Sequence, residues 1–228
     1  MARLRNTMTI SSNHSARRIA SILAAVVVLS GCSTIGRGDV ASLYAVAGTL
    51  WGGGKKVTLE EAAAVPYASM GLRLASGPQL MIILAGDTGG QRLWTSSARI
   101  AITTQAGRIV RTGGFEHNLG GYEARGDSLG EDGTRTVRWQ ADFPDISLYS
   151  VAIACRDRPG GNETITILGK AINTRRIEES CATVDSSLDW SFDNTYWVDP
   201  VSGLVWRSIQ HVHPRLDAIE TEILRPPE

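Results

Sequence analysis

Most of the chain is a succession of short apolar stretches separated by turns that contain glycine, and this pattern predicts a sheet protein. Apolar and polar residues alternate from Val137 to Phe143, as in a strand with one buried face. Residues 80–85 are apolar on both faces, as in a central strand. Glycines at 90, 107 and 203 fit short hairpin connections. We therefore predict a mainly β protein with a strongly curved antiparallel sheet, either closing towards a barrel or forming a two-sheet sandwich.

One or two short helices are predicted before the strands. Residues 39–47 place apolar side chains at helical spacing. Residues 58–61, Thr-Leu-Glu-Glu, have the pattern of a capping box, and Pro66 would end the helix that they begin.

Two segments are predicted to interrupt the strands. Residues 159–162, Pro-Gly-Gly-Asn, are predicted to form a hairpin turn between strands at 147–155 and 163–168. Residues 113–133 are rich in glycine and charge, and they form the one long predicted loop. Long loops in compact domains are often functional or mobile.

The N-terminus has the order of a lipoprotein signal. Four arginines precede an apolar run of about eleven residues, which is well short of the roughly 20 that a helix needs to cross a bilayer. The run closes with Leu29-Ser30-Gly31-Cys32, so we expect cleavage before Cys32 and acylation of its thiol, including palmitate. The predicted organisation is a signal peptide at 1–31, a lipid tether at 32–38 and a single β domain at 39–228.

Residue 33 and the net charge bear on location and partners. Ser33 stands where an aspartate usually retains a lipoprotein at the inner membrane, so we expect the periplasmic face of the outer membrane. Removing residues 1–31 removes four arginines and no acidic residue, which leaves a net charge of about −4. An acidic chain without a basic cluster is not expected to bind nucleic acid. Its membrane contact is predicted to be the acyl anchor.

Cys155 and Cys181 are left in an oxidising compartment, where free thiols seldom persist. We predict a disulfide between them. A simple meander of strands at 148–156, 163–168 and 171–181 would place the outer strands about 9.6 Å apart, too far for a bridge unless the third strand curls back. Two buried thiols are the alternative.

No residue pattern predicts catalysis, a metal or a cofactor. His211 and His213 could share a strand face, but no third ligand accompanies them. His117, beside Glu116, is predicted to be a surface histidine. The sequence does not indicate that any neighbouring carboxylates face one another across a groove, as glycoside hydrolysis requires. These pairs are Glu60/Glu61, Glu178/Glu179 and Asp189/Asp193. We expect a protein that is not an enzyme.

Six tryptophans make an aromatic binding surface plausible. Trp139 is predicted to lie in the core because its strand alternates well. Trp197 and Trp206 flank the turn at 199–203, and Arg207 adds a cation that would suit an acidic glycan. Trp197, Trp206 and Arg207 are therefore the candidate glycan or partner surface, with cross-strand packing as the alternative.

Several strand and turn signatures, taken in order, resemble the YjbF/GfcB family of outer-membrane lipoproteins. The resemblance spans roughly residues 39–227. It rests on VPYASM at 65–70, LW at 93–94, GRIVRTGG at 107–114, YWVD at 196–199 and GLVWRSIQ at 203–210. It implies a role in making or exporting exopolysaccharide or group 4 capsule together with other envelope proteins, and it carries no active site over to this chain.

The resulting expectation is an outer-membrane lipoprotein of exopolysaccharide or capsule export that acts as a non-enzymatic binding or assembly factor. The expected partners are envelope proteins of polysaccharide export, with the polysaccharide itself as a second candidate. One alternative is a periplasmic carrier of lipid or other apolar cargo, since a curved sheet can enclose an apolar cavity. The other is a polysaccharide-modifying enzyme.

Overall fold

A computed structural model of the protein describes residues 54–129, 134–184 and 186–227. By its internal contacts the chain divides between Leu43 and Tyr44, and everything described here belongs to the second unit, Tyr44–Glu228. The predicted signal peptide, Cys32, the tether and the predicted helix at 39–47 lie outside the described residues. In the part of the chain that is described, no helix has the length and apolar character needed to cross a bilayer.

The described unit consists of one short helix and twelve strands. The elements are α1 (Leu59–Ala63), β1 (Ser69–Leu74), β2 (Leu80–Thr88), β3 (Gln91–Thr95), β4 (Ala101–Gln105), β5 (Arg108–Gly113), β6 (Gly121–Leu129), β7 (Arg135–Phe143), a 3₁₀ turn (Pro144–Ile146), β8 (Leu148–Ile167), β9 (Lys170–Thr183), β10 (Ser191–Val198), β11 (Val205–Gln210) and β12 (Ile219–Arg225).

Helix α1 begins at the predicted capping box. The Thr58 hydroxyl accepts from the Glu61 amide at 3.2 Å, and the Glu61 carboxylate accepts from the Thr58 amide at 2.8 Å. These reciprocal bonds satisfy two amides that the first turn leaves unpaired. Ala62 is the one buried residue of the helix, so α1 contributes little to the core.

The strands form a single antiparallel sheet that nearly closes into a barrel. Its order is β5-β4-β3-β2-β1-β12-β11-β10-β9-β8-β7-β6, so β5 and β6, consecutive in sequence, stand at opposite edges. The connection between them brings the edges together. The Thr112 amide donates to the Leu119 carbonyl at 3.0 Å, and the Leu119 amide donates to the Thr112 hydroxyl at 2.8 Å. The predicted mainly β, curved antiparallel sheet is confirmed, in its barrel form.

Inward-facing side chains of all parts of the sheet fill the barrel. Trp94 is 1 % exposed, and its indole N–H donates to the Thr104 hydroxyl at 3.0 Å. Trp139, predicted to be core, is half-buried and packs against the same cluster. The other large, fully buried apolar residues are Ile82, Ile102, Ile109, Leu119, Phe143, Ile153 and Ile219.

The prediction of a hairpin at residues 159–162 is wrong. Strand β8 runs without a break from Leu148 to Ile167, with a shift of register between Pro159 and Asn162. Gly160 and Gly161 supply the extra residue of a bulge, which bends a strand without ending it. The chain turns instead at Leu168-Gly169 and returns as β9.

The continuous β8 brings the cysteines together. Cys155 lies directly opposite Cys181 in the β8–β9 ladder, with Cα atoms 4.1 Å apart, and the two sulfurs form the predicted disulfide. The three-strand meander, which would have kept these residues on strands two apart, does not occur. Both cysteines are buried inside the barrel.

The long loop predicted at 113–133 is also wrong for residues 121–129, and residues 130–133 lie outside the described part of the chain. Residues 121–129 form β6, and Tyr122 is buried. The glycine that suggested a loop, Gly126, has a φ of +142° and lies at a shift of register beside Ala124. Glycine at such a position is typical of a bulge within a strand.

Candidate functional site

The bend in β8 places the end of the β8–β9 hairpin over the outer face of the sheet. We call residues 162–175 the arm. Ile165 and Ile167 of the arm pack on Trp197 of β10 and form a second apolar cluster, separate from the barrel interior. Trp197 is only 8 % exposed as a result. Trp197, predicted to belong to a glycan or partner surface, is therefore covered by the arm.

Alternation along β10 explains why Trp197 faces outward. Phe192, Asn194 and Tyr196 are buried in the interior. Successive side chains of a strand point to opposite faces, so Trp197 faces the outside. Trp197 pairs with Arg176 on β9 and with Arg207 on β11. The guanidinium carbons of Arg176 and Arg207 lie 6.0 Å and 5.7 Å from the centre of the Trp197 rings, within the range of cation–π attraction.

Glu222 of β12 is the acceptor that organises the charges beside this cluster. It is 3 % exposed and accepts from Lys56 Nζ at 3.1 Å, Gln79 Nε2 at 2.7 Å and Arg207 Nε at 2.7 Å. Burial acts to raise the pKa of Glu222, but these hydrogen bonds and the charges of Arg207 and Lys56 outweigh it and lower the pKa. Arg73 and Glu220 form a neighbouring ion pair on the same face.

A cavity of about 280 Å³ opens between the tip of the arm and the barrel. Lys56, Gln79 and Glu222 give it a polar side, whereas Ile167 and Leu224 give it an apolar side. Mixed walls of this kind suit a ligand that has both hydroxyl groups and an apolar face.

Trp206 and Arg207 hold different positions around the covered tryptophan. Trp206 is half-buried, and its indole N–H lies 3.5 Å from Asp199 Oδ2, so it supports the turn at 199–203. Backbone amides of Ser202 and Val201 lower the pKa of Asp199. Arg207 donates to the Thr166 carbonyl of the arm at 3.2 Å. Trp206 therefore packs beside the Trp197 cluster, whereas Arg207 bridges the arm and Glu222.

The interior of the barrel contains a buried ion pair with a small space beside it. Arg108 of β5 pairs with Glu179 of β9, and its guanidinium lies 4.4 Å from the centre of the Trp139 rings. Burial acts to lower the pKa of Arg108, but the electrostatic effects of Tyr196 and Glu179 outweigh burial, so the pKa is raised overall. The space next to Arg108 has a volume of about 10 Å³, enough for about one water molecule.

His117, Asp145 and His213 come together from three connections between strands. His117 lies between β5 and β6, Asp145 lies in the 3₁₀ turn after β7, and His213 lies between β11 and β12. His117 Nδ1 lies 2.7 Å from Asp145 Oδ2, and His213 Nε2 lies 3.1 Å from Asp145 Oδ1. The two imidazole rings stack with their centres 5.1 Å apart. His211, which could have shared a strand face with His213, bonds instead to Asp193 and Asn194. His117, predicted to be a surface histidine, is half-buried and is held by Asp145.

The hydrogen bonds of His213 favour a clamp over a metal site. The Arg215 amide donates to His213 Nδ1 at 3.0 Å, so the ring proton lies on Nε2 and points to Asp145. A histidine that binds a metal through one ring nitrogen usually donates a hydrogen bond from the other. If His213 bound a metal through Nε2, its Nδ1 would have to donate, but Nδ1 faces the Arg215 N–H donor. Burial lowers the pKa of His213, with partial opposition from Asp145. Partial burial acts to raise the pKa of Asp145, but the two histidines lower it.

The family described as "Group 4 capsule polysaccharide lipoprotein gfcB, YjbF" matches residues 44–224, which include the helix, all of β1–β11 and most of β12. The chain belongs to the YjbF family. This is a family of lipoproteins associated with capsule and exopolysaccharide.

Two relatives from Escherichia coli (strain K12) support the assignment to the YjbF family. The chain is 27 % identical to "Uncharacterized lipoprotein GfcB", over 72 % of this chain and 78 % of the relative. It is 25 % identical to "Uncharacterized lipoprotein YjbF", over 75 % and 82 % respectively. The crystal structure of the hypothetical lipoprotein YmcC from Escherichia coli (K12) shares the fold. The two structures superpose with a TM-score of 0.60, and their sequences are 23 % identical. The match covers 75 % of this chain and 90 % of the YmcC chain.

Sequence reasoning singled out Trp197, Trp206 and Arg207 of this YjbF-family chain, and it missed the residues that surround them. Arg176 could have been recognised only from the β9–β10 register, which places it opposite Trp197. Glu222 and Lys56 are 166 residues apart in sequence, and no local pattern links them. Asp145 was missed because the turn that carries it gave no signal for a partner of His117.

Proposed function

We propose that this protein is a lipoprotein anchored through Cys32 to the periplasmic face of the outer membrane. There it serves the production or export of exopolysaccharide or capsule as a non-enzymatic binding or assembly factor. The match of residues 44–224 to a capsule lipoprotein family is the observation that carries the proposal. The lipobox at residues 29–32 and the lipoprotein names of both relatives support the anchor.

The buried ion pair and the small space beside it favour this proposal over the carriage of apolar cargo. A lipid carrier on a curved sheet needs a cavity that can hold an acyl chain. The space beside the Arg108–Glu179 pair inside this barrel has a volume of about 10 Å³, which is too small for an acyl chain. Binding is therefore assigned to the outside of the sheet.

The positions of the carboxylates favour binding over hydrolysis. Glu178 and Glu179 are neighbours on β9 and so point to opposite faces, with Glu179 in the interior. Glu61 is held by the capping box of α1. Neither arrangement provides two carboxylates facing across a groove.

The outer face beneath and beside the arm is the surface that we assign to this role. It combines Trp197, Arg207 and the cavity, and it would contact polysaccharide or an envelope protein. With a mature charge of about −4, nucleic acid is not proposed as a partner.

Deletion of the gene tests the pathway. Cells grown under conditions that induce the polymer should carry less surface polysaccharide without the gene, and a plasmid copy should restore it. Surface polymer that is unchanged by the deletion would contradict the proposal.

Site-specific crosslinking in intact cells tests the surface. A photoreactive residue at Lys170, at the tip of the arm, should capture envelope proteins of polysaccharide export or the polymer itself. The matched position is Gln91, exposed at the β2–β3 turn on another part of the sheet. Equal capture at both positions would contradict the assignment of the outer face.

A further inference from the structure

Two buried donors beneath the arm lack an acceptor. Trp197 Nε1 and Arg176 Nε are both inaccessible to solvent, and neither has a hydrogen-bond partner within the described part of the chain. Native proteins rarely leave buried donors unpaired, because such groups lose their hydrogen bonds to water. Trp197 and Arg176 are directly paired across β10 and β9, so a single acceptor group could satisfy both donors.

Three cations lie around these donors, and each is already paired with a carboxylate. Arg176 and Arg207 flank the Trp197 ring, and Lys56 lines the adjoining cavity. Glu222 is already engaged by Lys56, Gln79 and Arg207, and Arg176 also pairs with Glu178 at 2.8 Å. The two N–H donors of Trp197 and Arg176 are therefore the groups that still need an acceptor, and the oxygens of an anion are the strongest acceptors for them.

The arm is attached in a way that would let it move as a unit. It joins the barrel through the bulge at Pro159–Asn162, which contains two consecutive glycines. The contacts that hold it on the outer face of the sheet include Ile165, Ile167 and one hydrogen bond from Arg207 to the Thr166 carbonyl. The cavity already separates the tip of the arm from Lys56 and Gln79.

We propose that the arm covers a binding site for a sugar unit that carries a carboxylate. The Trp197 ring forms the floor of this site, and Arg176 and Arg207 are its anion-binding groups. A pyranose ring places C–H groups against an indole face, while its carboxylate accepts from the guanidinium groups and from the indole N–H. This proposal rests on the proposed function and assigns a ligand class to its surface.

Calorimetric titration of the full chain, purified from membranes in detergent, tests the charge requirement. The probe is tetragalacturonate, a short polymer of a uronic acid. Arg176→Gln should weaken binding roughly tenfold, because a charge-assisted hydrogen bond is lost. Arg175→Gln is the matched control, since Arg175 is exposed, adjacent on β9 and on the opposite face. Equal affinities of the two variants, or no binding of the probe by the wild type, would overturn the proposal.

The sugar requirement is tested with two further ligands and one further variant. Trp197→Phe keeps an aromatic floor but removes the indole N–H, and it should weaken binding roughly fivefold. A neutral tetrasaccharide and inorganic phosphate should each bind at least about tenfold more weakly than tetragalacturonate. Phosphate that binds as tightly as the uronate polymer would mean an anion site without sugar recognition, and it would overturn the ligand class.

Hydrogen exchange tests the cover. Amides of residues 162–175 should exchange faster than those of the disulfide-bearing part of β8 and β9, and tetragalacturonate should slow the exchange of the arm. An arm whose exchange does not respond to saturating probe would overturn its role as a cover. Loss of polysaccharide on gene deletion would be unaffected by this result, so the two proposals can fail separately.

Discussion

Arg108 and Glu179 form an ion pair across the interior of the barrel, joining edge strand β5 to β9. Glu179 has no exposed surface, and the guanidinium of Arg108 lies among Tyr122, Trp139 and Tyr196. Removing one partner leaves the other charge buried and unpaired. Glu179→Gln and Arg108→Met should each lower the free energy of unfolding by roughly 3–5 kcal/mol.

Urea denaturation of these variants measures the effect of the interior pair. Arg111→Met on the same strand is the control, because Arg111 is exposed. Its cost should stay within about 0.5 kcal/mol. Costs that are equal for Arg108→Met and Arg111→Met would mean that the pair does not stabilise the barrel.

Closure of the barrel depends on the turn after β5. Gly114 has a φ of +86°, and a Cβ placed there would lie 2.2 Å from the Arg99 carbonyl oxygen. Gly90 has a similar φ of +79° but has open space around it. Gly90→Ala should therefore cost about 1–2 kcal/mol of unfolding free energy from backbone strain alone. Gly114→Ala should cost distinctly more, and a thermal melt showing equal costs would contradict the close approach.

The disulfide should supply a large part of the stability. Cys155 and Cys181 are separated by 26 residues, and a cross-link over that distance stabilises a fold by roughly 3–4 kcal/mol through restriction of the unfolded chain. The double variant Cys155→Ala/Cys181→Ala should unfold at a lower urea concentration by a corresponding amount. An unchanged midpoint would contradict a stabilising bridge between the two cysteines.

Mild acid should weaken the clamp formed by His117, Asp145 and His213. The folded protein lowers the pKa of His213 below 6.5, so the unfolded chain takes up the proton first. The stabilisation is complete above about pH 6.5 and is lost as the pH falls through the folded-state pKa. Protonation also replaces the acceptor of the Arg215 amide with a donor.

The pH dependence of the unfolding free energy provides the measurement for this clamp. Between about pH 8 and about pH 5.5 the wild type should lose stability, whereas His213→Gln should show a flatter profile. A wild-type profile as flat as that of His213→Gln would contradict the role of the histidine.

The strands and the barrel could be predicted because alternation and turn residues are local signals. The Thr58 capping box and the alternation of residues 137–143 both appear in the structure as expected. The errors came from glycines. Gly160, Gly161 and Gly126 lie in bulges within long strands, and in sequence a bulge has the same residues as a turn.

The candidate site could be predicted only in part, because its assembly depends on register and on a bend. Trp197 and Trp206 were selected from the sequence because they flank the turn at 199–203, and Arg207 because it follows Trp206. The residues that cover or join them come from distant strands: Ile165 from the arm, Arg176 from β9 and Glu222 from β12. A strand that bends at a bulge can cover an aromatic residue that alternation alone would leave exposed.

Intact-mass and peptide mass spectrometry of the protein purified from cell envelopes tests the central claim most directly. We predict that residues 1–31 are absent and that the first residue is Cys32 carrying the mass of a diacylglyceryl group and an N-acyl chain. Cys32→Ser should remove that mass and release the chain from the outer-membrane fraction. An intact leader, or an unmodified Cys32 in the wild type, would contradict the account.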